Sequence, residues 1–407
     1  MNVVRLALAY ARRRPLATLL NVALLAVGVA TITLVILLSD ELDTRLVREA
    51  AGIDLVVGAK GSPLQLVLAG VYHADVPPGN IPLAAVESLR TNPLVREVIP
   101  LALGDSFHGF RIVGTERSFI AHYQATLAGG RLWTAPLEAV LGSDVARASG
   151  LALGATFTGS HGLAEGGGAH EDSRYAVVGI LARTGAVIDR LVLTGIESVW
   201  RVHEHHRDEG EEGAGSSVVR ANAPVAAREV TLALVKYKSP LAAASLPRAI
   251  NAETVMQSAS PAFESARLLT VFGVGTDVIR AFALLLIAAS ALGLFVALTQ
   301  ALDERRYDLA IMRALGASRT TIVAVLLCES MLLAALGLVV GLAFAHLLAA
   351  NIGAWLPAAA PLEAGALAWR SEEWAVAALA LGVGIMATLI PAWRAYRLDV
   401  AATLAEG

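Results

Sequence analysis

The sequence predicts an α-helical membrane protein with four transmembrane helices and a large α+β domain inserted between spans 1 and 2. Three observations predict this fold. Hydrophobic residues make up 56% of the 407 residues and charged residues only 16%, whereas about a quarter of the residues in a soluble protein are charged. Four apolar runs are each long enough to cross a bilayer core, which takes about 20 helical residues. The stretch between the first two runs mixes strand and helix patterns.

The first span is predicted at residues 16–38, which carry no charged side chain. Four arginines lie in residues 1–15, and positive charge beside a span is typical of its cytoplasmic end. The segment LLSDELD, which follows the apolar run, does not fit the cleavage site of a secretory signal. We therefore expect an uncleaved span with its N-terminus in the cytoplasm.

Residues 39–275 are predicted to form an exported α+β domain with a stalk helix at each end. Five segments rich in valine and isoleucine are predicted to be strands: IDLVV, FRIVGT, YAVVGIL, DRLVLTGI and EVTLALVKYK. Two segments with helical spacing, IPLAAVESLRTN and LEAVLGSDVARASG, are predicted to be helices.

The other spans and their connections follow from hydropathy and from the arginine distribution. The predicted ranges are 278–300, 321–350 and 374–393 for spans 2 to 4, 301–320 and 394–407 for cytoplasmic segments, and 351–373 for an outer loop. Arginines are frequent in the segments predicted to be cytoplasmic, while the outer loop has only Arg370. This asymmetry predicts that both termini are cytoplasmic.

The segment between spans 2 and 3 carries the most informative pattern. Residues 303–318, which we call the docking segment, read DERRYDLAIMRALGAS. Leu309, Met312 and Leu315 recur every three residues and are predicted to share one stripe of a helix, with charged residues on the other faces. A short helix of both charge signs, held between two spans, favours a docking surface for another protein.

The end of this helix is also predicted. Gly316 follows the last apolar residue, where helices often end with a left-handed residue. Ser318 can then cap the next helix.

The docking segment resembles the cytoplasmic coupling segment of the MacB/FtsX-type ABC transporter permeases, whose pattern is roughly E-R-x-x-[DE]-[IL]-[AG]-[IL]-x-[RK]-[AS]-[LI]-G-[AM]. The tail PAWRAYRLDVAATLAEG resembles the family's PARRAARLDPAEAL-type ending, and LVREVIP, GGRLW and YAVVGILARTG follow one another as in its periplasmic domain. The resemblance implies that the α+β domain is periplasmic and that the chain lies in the bacterial inner membrane.

The resemblance also implies a function. The chain would be a permease subunit that couples ATP hydrolysis by a separate ATPase to movement of its periplasmic domain, for export or extraction of a lipoprotein, lipid, peptide or drug. The implied partners are a dimer of ABC ATPase subunits, a second permease chain that is identical or different, a periplasmic client or adaptor, and membrane lipids. The residues expected to couple to the ATPase are Glu304, Arg305, Arg306, Asp308, Leu309, Met312, Arg313, Leu315 and Gly316.

Other functions stay open at this point. One is an FtsX-like transmembrane regulator of a periplasmic partner, such as a cell-wall hydrolase. Another is a component of a metal-handling ABC system. A third, from a different class, is a signalling or structural membrane protein that has no ATPase.

The chain itself is expected to be non-catalytic. No G-x-x-x-x-G-K-[ST] loop is present to hold phosphates, so ATP and magnesium would be bound by the partner. The segment GAKGSP places its lysine before the glycine and falls in the exported domain. There is no G-x-S-x-G or H-E-x-x-H motif. The formal net charge of -3 argues against a nucleic-acid partner.

Histidines cluster in a glycine-rich excursion of the exported domain. His203, His205 and His206 lie in HEHHRDEGEEG, and imidazole is a good ligand for zinc. Further potential ligands in the same excursion are His161, His170, Glu171 and Asp172. The sequence raises the hypothesis of a zinc site, and the alternative is a solvated acidic loop in which the histidines have no role.

Two ionisable residues, Glu329 and His346, fall within the third span, and such residues are functional hypotheses by default. The milder interpretation is that Glu329 reaches the cytoplasmic interface or contacts another subunit, and that His346 faces a polar neighbour near the outer surface. The single cysteine, Cys328, excludes an internal disulfide and is expected to be a buried thiol.

Overall fold

The computed structural model describes residues 15–161, 169–202, 228–355 and 369–397. The chain divides into two compact units. The helical unit comprises residues 1–44 and 270–407, and the α/β unit comprises residues 45–269.

The helices and strands with defined bounds are as follows. The helices are α1 (Pro15–Ala50), α2 (Pro63–Gly70), α3 (Leu83–Arg90), α4 (Arg117–His122), α5 (Ser143–Ser149), α6 (Pro240–Glu253), α7 (Pro261–Glu304), α8 (Arg306–Ala314), α9 (Arg319–Trp355) and α10 (Glu373–Tyr396). The strands are β1 (Leu55–Ala59), β2 (Ile81–Pro82), β3 (Val95–Phe107), β4 (Phe110–Thr115), β5 (Leu127–Gly130), β6 (Glu138–Leu141), β7 (Thr156–His161), β8 (Ala169–Leu181), β9 (Leu191–Gly195), β10 (Glu229–Val230), β11 (Leu232–Tyr237) and β12 (Met256–Ala259).

Four of the helices that the structure describes, α1, α7, α9 and α10, are long and apolar enough to cross a membrane. The α/β unit lies in the chain between the first and second of them. This arrangement confirms the predicted fold class. A helix at the start of residues 39–275, as expected, is also present, because α1 runs to Ala50. Gly52 follows in a left-handed conformation with a φ of 76°. The membrane boundaries of the spans stay predictions.

Small residues let the apolar helices approach closely. A Cβ on Gly28 of α1 would lie 2.6 Å from the Ile287 side chain of α7. A Cβ on Gly341 of α9 would lie 2.6 Å from the carbonyl oxygen of Ala26 in α1. Such contacts are typical of membrane helices, which associate by close packing. The two glycines therefore set how near α1 lies to α7 and to α9.

The α/β unit is built on a ten-stranded mixed sheet of order β12-β1-β11-β3-β4-β9-β6-β8-β5, with β7 paired to β3 and β8. The pairs β4–β9 and β6–β8 are parallel and the others are antiparallel. On β1, Val56 belongs to one buried cluster, while Leu55 and Val57 belong to another. Successive side chains of a strand point to opposite faces, so this part of the sheet is covered on both sides.

One secondary-structure prediction is wrong in part. The segment LEAVLGSDVARASG is a strand, β6, followed by a shorter helix, α5, rather than one helix. β6 pairs with β8 and β9, which are distant in sequence, and its residues 139–141 are buried. Pairing and burial of this kind override local helical spacing. The change of structure occurs at Gly142, where a Cβ would lie 2.3 Å from the carbonyl oxygen of Asp189.

A carboxylate at the start of β6 makes the stability of the α/β unit depend on pH. Glu138 accepts hydrogen bonds from the Arg131 guanidinium at 2.7 Å and from the backbone N–H groups of Thr134 and Ala135 at 2.7 and 3.2 Å. The Arg131 hydrogen bond, followed by that of Thr134, lowers the pKa of Glu138 to about 2 from its ordinary 4.5.

We expect the stabilising effect of Glu138 to be fully present above pH 4.5 and to be lost as the pH falls towards 2. A carboxyl with a depressed pKa in the folded state contributes stability only while it is ionised. The change Glu138→Gln should lower the Tm of the full chain at pH 7, and the difference from the unchanged protein should narrow at pH 3. Glu87→Gln, at an exposed carboxyl on α3, is the control. An equal Tm difference at both pH values would contradict the prediction.

Candidate functional site

The docking segment is a short helix, α8, separated from α7 by one residue. α7 ends at Glu304 and α8 begins at Arg306. Arg305 between them has φ −104° and ψ 8°, and its N–H still bonds to the carbonyl groups of Ala301 and Leu302. The regular α-helical conformation is therefore interrupted at Arg305.

The end of α8 has the predicted geometry. Gly316 has a φ of 100° and its N–H bonds to the Arg313 carbonyl at 3.0 Å. The N–H of Ala317 bonds to the Met312 carbonyl at 2.9 Å. These two bonds form a Schellman motif, which satisfies carbonyl groups at a helix end. Ser318 caps the following helix by accepting the Thr321 N–H at 3.2 Å, so both local predictions are confirmed.

One face of α8 packs against the long helices of the same unit. Leu309 is 6% exposed and belongs to a cluster with side chains of α7, α9 and α10, and Met312 packs against that cluster. The other members of the cluster are Leu294, Leu298, Leu302, Ile322, Leu326, Ala387 and Ala395. This packing holds α8 on the helical unit.

The opposite face of α8 is apolar and exposed. The exposed fractions are 49% for Tyr307, 38% for Ile311 and 83% for Leu315. These residues follow one another at spacings of four. On a helix of about 3.6 residues per turn, each such step turns by only about 40°, so the three side chains form one outward stripe.

The predicted stripe of Leu309, Met312 and Leu315 does not lie on one face, because Leu309 is buried and Leu315 is exposed. Two steps of three residues place Leu315 about 120° round the helix from Leu309. In the sequence, Tyr307, Ile311 and Leu315 are spaced by four residues, and this spacing could have predicted the exposed apolar stripe.

The charged residues of the docking segment differ in how far their side chains are exposed to solvent. Arg306 and Asp303 form an exposed ion pair at 3.0 Å, which is of the kind that contributes little to stability. Arg305 is buried, and its Nη1 lies 3.4 Å from Oε2 of Glu329 in α9. Glu304 is exposed and Arg313 half-buried, while the side chain of Asp308 lies outside the described part of the chain.

The ionisable residues of α9 have partners in the same chain. Glu329 is buried, and its Oε2 lies 3.4 Å from Nη1 of Arg305. Its expected contact with the cytoplasmic interface or with another subunit stays a prediction. His346 does face a polar neighbour, since its Nε2 lies 3.0 Å from Oε2 of the fully buried Glu373. Cys328 is half-buried rather than buried.

The partners of His346 belong to a larger polar network that the sequence pattern did not reveal. Glu373 also accepts the Arg370 N–H at 3.0 Å, and the Arg370 guanidinium lies 2.9 Å from Asp40 of α1. This network joins α1, α9 and α10 at one end of the helical unit.

The proposed zinc ligands His203, His205 and His206 lie outside the described residues, as do the side chains of His161, His170, Glu171 and Asp172. Within residues 15–161, 169–202, 228–355 and 369–397, no group of three or more histidine, cysteine or acidic side chains could hold a metal ion. The zinc hypothesis stays a prediction.

Comparison with known proteins identifies two family models in this chain. The MacB-like periplasmic core domain matches residues 18–237, and the FtsX-like permease C-terminal model matches residues 280–400. No curated protein matches.

Two solved structures resemble part of the chain. The periplasmic region of MacB from Actinobacillus actinomycetemcomitans is 13% identical with a TM-score of 0.35, covering 55% of this chain and 95% of that one. The extracellular domain of the noncanonic ABC-type transporter YknZ from Gram-positive bacteria is 13% identical with a TM-score of 0.29, covering 51% and 98%.

The periplasmic core model alone matches more than half of the chain. The C-terminal model covers the docking segment and the last two long helices. Four apolar helices, with an α/β unit between the first and second, complete the architecture. The chain belongs to the MacB/FtsX-type ABC transporter permeases.

Proposed function

We propose that this permease lies in the bacterial inner membrane with both termini in the cytoplasm, and that its docking segment binds a separate ABC ATPase. The single observation that carries the proposal is the exposed apolar stripe of Tyr307, Ile311 and Leu315 on α8. The ATPase would bind and hydrolyse ATP, and this chain would take no catalytic part.

The two faces of α8 support docking by a protein. Its inner face is packed on the chain's own helices through Leu309, so the helix has a fixed position. Its outer face presents a leucine that is 83% exposed at the end of the helix, and an ion pair of Arg306 with Asp303 lies at the start of the helix. An amphipathic helix of this kind is suited to a groove on a partner, where apolar residues anchor and charged residues surround them.

The work done by ATP would pass through the helices to the α/β unit. Both α1 and α7 extend beyond a single span, with 36 and 44 residues, whereas a bilayer core needs about 20. In our proposal a movement of α8 shifts these helices, and two permease chains with two ATPases act on a periplasmic client. The client would be a lipoprotein, lipid, peptide or drug that is exported or extracted.

Purification from the native membrane tests the proposal directly. We expect an ATPase with a G-x-x-x-x-G-K-[ST] loop to co-purify in about equal amount with this chain, as identified by mass spectrometry. Recovery of the permease without any ATPase, under conditions that keep the chain folded, would favour a signalling or structural protein.

The orientation of the docking segment can be tested with one introduced thiol. Ser318→Cys in a Cys328→Ser background should react with a membrane-impermeant maleimide only after the cytoplasmic side is opened, because Ser318 is exposed at the end of the docking segment. Labelling of intact cells or spheroplasts would place the segment outside and would remove the proposed ATPase contact. Cys328→Ser alone is the background control.

A further inference from the structure

We propose that Arg305 and Glu329 form a positioning contact through which a movement of α8 is passed to α9. The inference rests on the proposed ATPase docking and adds the residues that would transmit its effect. Neither residue touches the reacting ATP in this proposal. Their role is to make the docking helix and the long helix α9 move together.

The position of Arg305 is the first argument. It is the single residue between α7 and α8, with a backbone conformation that interrupts the helix. Its side chain turns inward, is buried, and places Nη1 3.4 Å from Oε2 of Glu329. A residue at a helix junction moves when either helix tilts, so its side chain is well placed to pull on Glu329.

The chemistry of the pair is the second argument. Two buried charges lose their hydration, so an ion pair often stabilises a fold no better than apolar side chains of the same size. Separating the two charges in the interior, however, is unfavourable because the attraction between opposite charges is strong where water is excluded. The contact therefore resists separation, which suits a mechanical link between α8 and α9.

The space around the pair is the third argument. Arg305 and Glu329 line a small cavity of about 20 Å³, together with Thr18 and Asn21 of α1 and apolar side chains of α7. A cavity of this size has room for about one water molecule. The pair therefore borders space that no protein atom fills, which leaves room for a small displacement of the two side chains.

Glu329 can carry the movement further because α9 is one continuous helix from Arg319 to Trp355. Near the other end of α9, His346 contacts Glu373 of α10. A tilt of α9 at Glu329 would therefore also displace His346, and through its contact with Glu373 it would act on α10.

The test uses the permease co-expressed with its ATPase. Single changes would remove one charge of a buried ion pair and could prevent folding, so the decisive variant is the double change Arg305→Met with Glu329→Met, which replaces both charges by flexible apolar side chains. We expect this variant to retain the ATPase in co-purification and to lose permease-dependent stimulation of ATP hydrolysis by about tenfold. Its KM for ATP should not change.

A conservative variant and a control variant separate the effect of the Arg305–Glu329 pair from a general effect of substitution. Arg305→Lys keeps the charge pair and should recover much of the stimulation. The double change Asp277→Asn with Arg280→Gln removes an exposed ion pair of 3.1 Å from α7 and should leave stimulation unchanged.

Three outcomes would overturn the inference. These are full stimulation in the double methionine variant, loss of ATPase binding in it, and failure of that variant to accumulate while the Asp277/Arg280 control does. If the unchanged permease recruits no ATPase at all, the proposed function itself fails, and this result is distinguishable from the other three.

Discussion

Replacing Leu315 with aspartate is expected to release the ATPase from the permease while leaving the chain folded. Leu315 is 83% exposed at the end of α8, so the fold of this chain gains little from its side chain. In the proposed complex the same side chain enters an apolar groove. A carboxylate there would be desolvated without a partner, and the loss of a central apolar anchor typically costs 2 kcal/mol or more.

The expected effect is a Kd for the ATPase that rises by about 100-fold, corresponding to about 3 kcal/mol. It can be measured by titrating detergent-solubilised permease with the purified ATPase. Leu241→Asp is the matched control, because Leu241 is 69% exposed on α6 of the α/β unit. The docking surface would be wrong if Leu315→Asp bound the ATPase as tightly as Leu241→Asp does.

Adding one methyl group at Gly341 is expected to destabilise the helical unit. The new Cβ would lie 2.6 Å from the Ala26 carbonyl oxygen and 2.8 Å from the Val29 side chain of α1. The backbone oxygen cannot rotate away, so α1 and α9 would have to separate. Overpacking of this kind typically costs about 1–3 kcal/mol, which should reduce both accumulation and Tm in detergent.

The matched control for Gly341→Ala is Gly382→Ala in α10, where the added Cβ has no neighbour within 4 Å. Alanine exceeds glycine in helix propensity by about 1 kcal/mol, so this change should be neutral or stabilising. The two substitutions are chemically identical, and only Gly341→Ala is expected to be destabilising. A Tm for Gly341→Ala that equals or exceeds that of Gly382→Ala would contradict the close approach of α1 and α9.

The local features of the docking segment were predictable because they depend on neighbours in the chain. Gly316 ends α8 in the left-handed conformation and Ser318 caps the next helix, as the residue types indicate. The direction in which each side chain points was harder to predict from the sequence. Leu309 and Leu315 looked equivalent in the sequence, but only packing against α7, α9 and α10 decides which of them is buried.

The partners of the ionisable residues could not be predicted. Glu329 pairs with Arg305, and His346 pairs with Glu373 from another helix. Residues this far apart in sequence meet only after the helices have packed. The same reason explains β6, whose helical spacing was overridden by strands that pair with it from 35 or more positions away.

The sequence by itself determined the class of this protein. Hydropathy, arginine distribution and the docking motif are local properties, and they can be recognised without knowledge of tertiary contacts. It also determined where α8 ends, because a helix end depends on residues within one turn. The tertiary structure alone decided which face of α8 is free and which charges are buried together. Burial is set by all the helices that surround a side chain, and a linear pattern does not contain their positions.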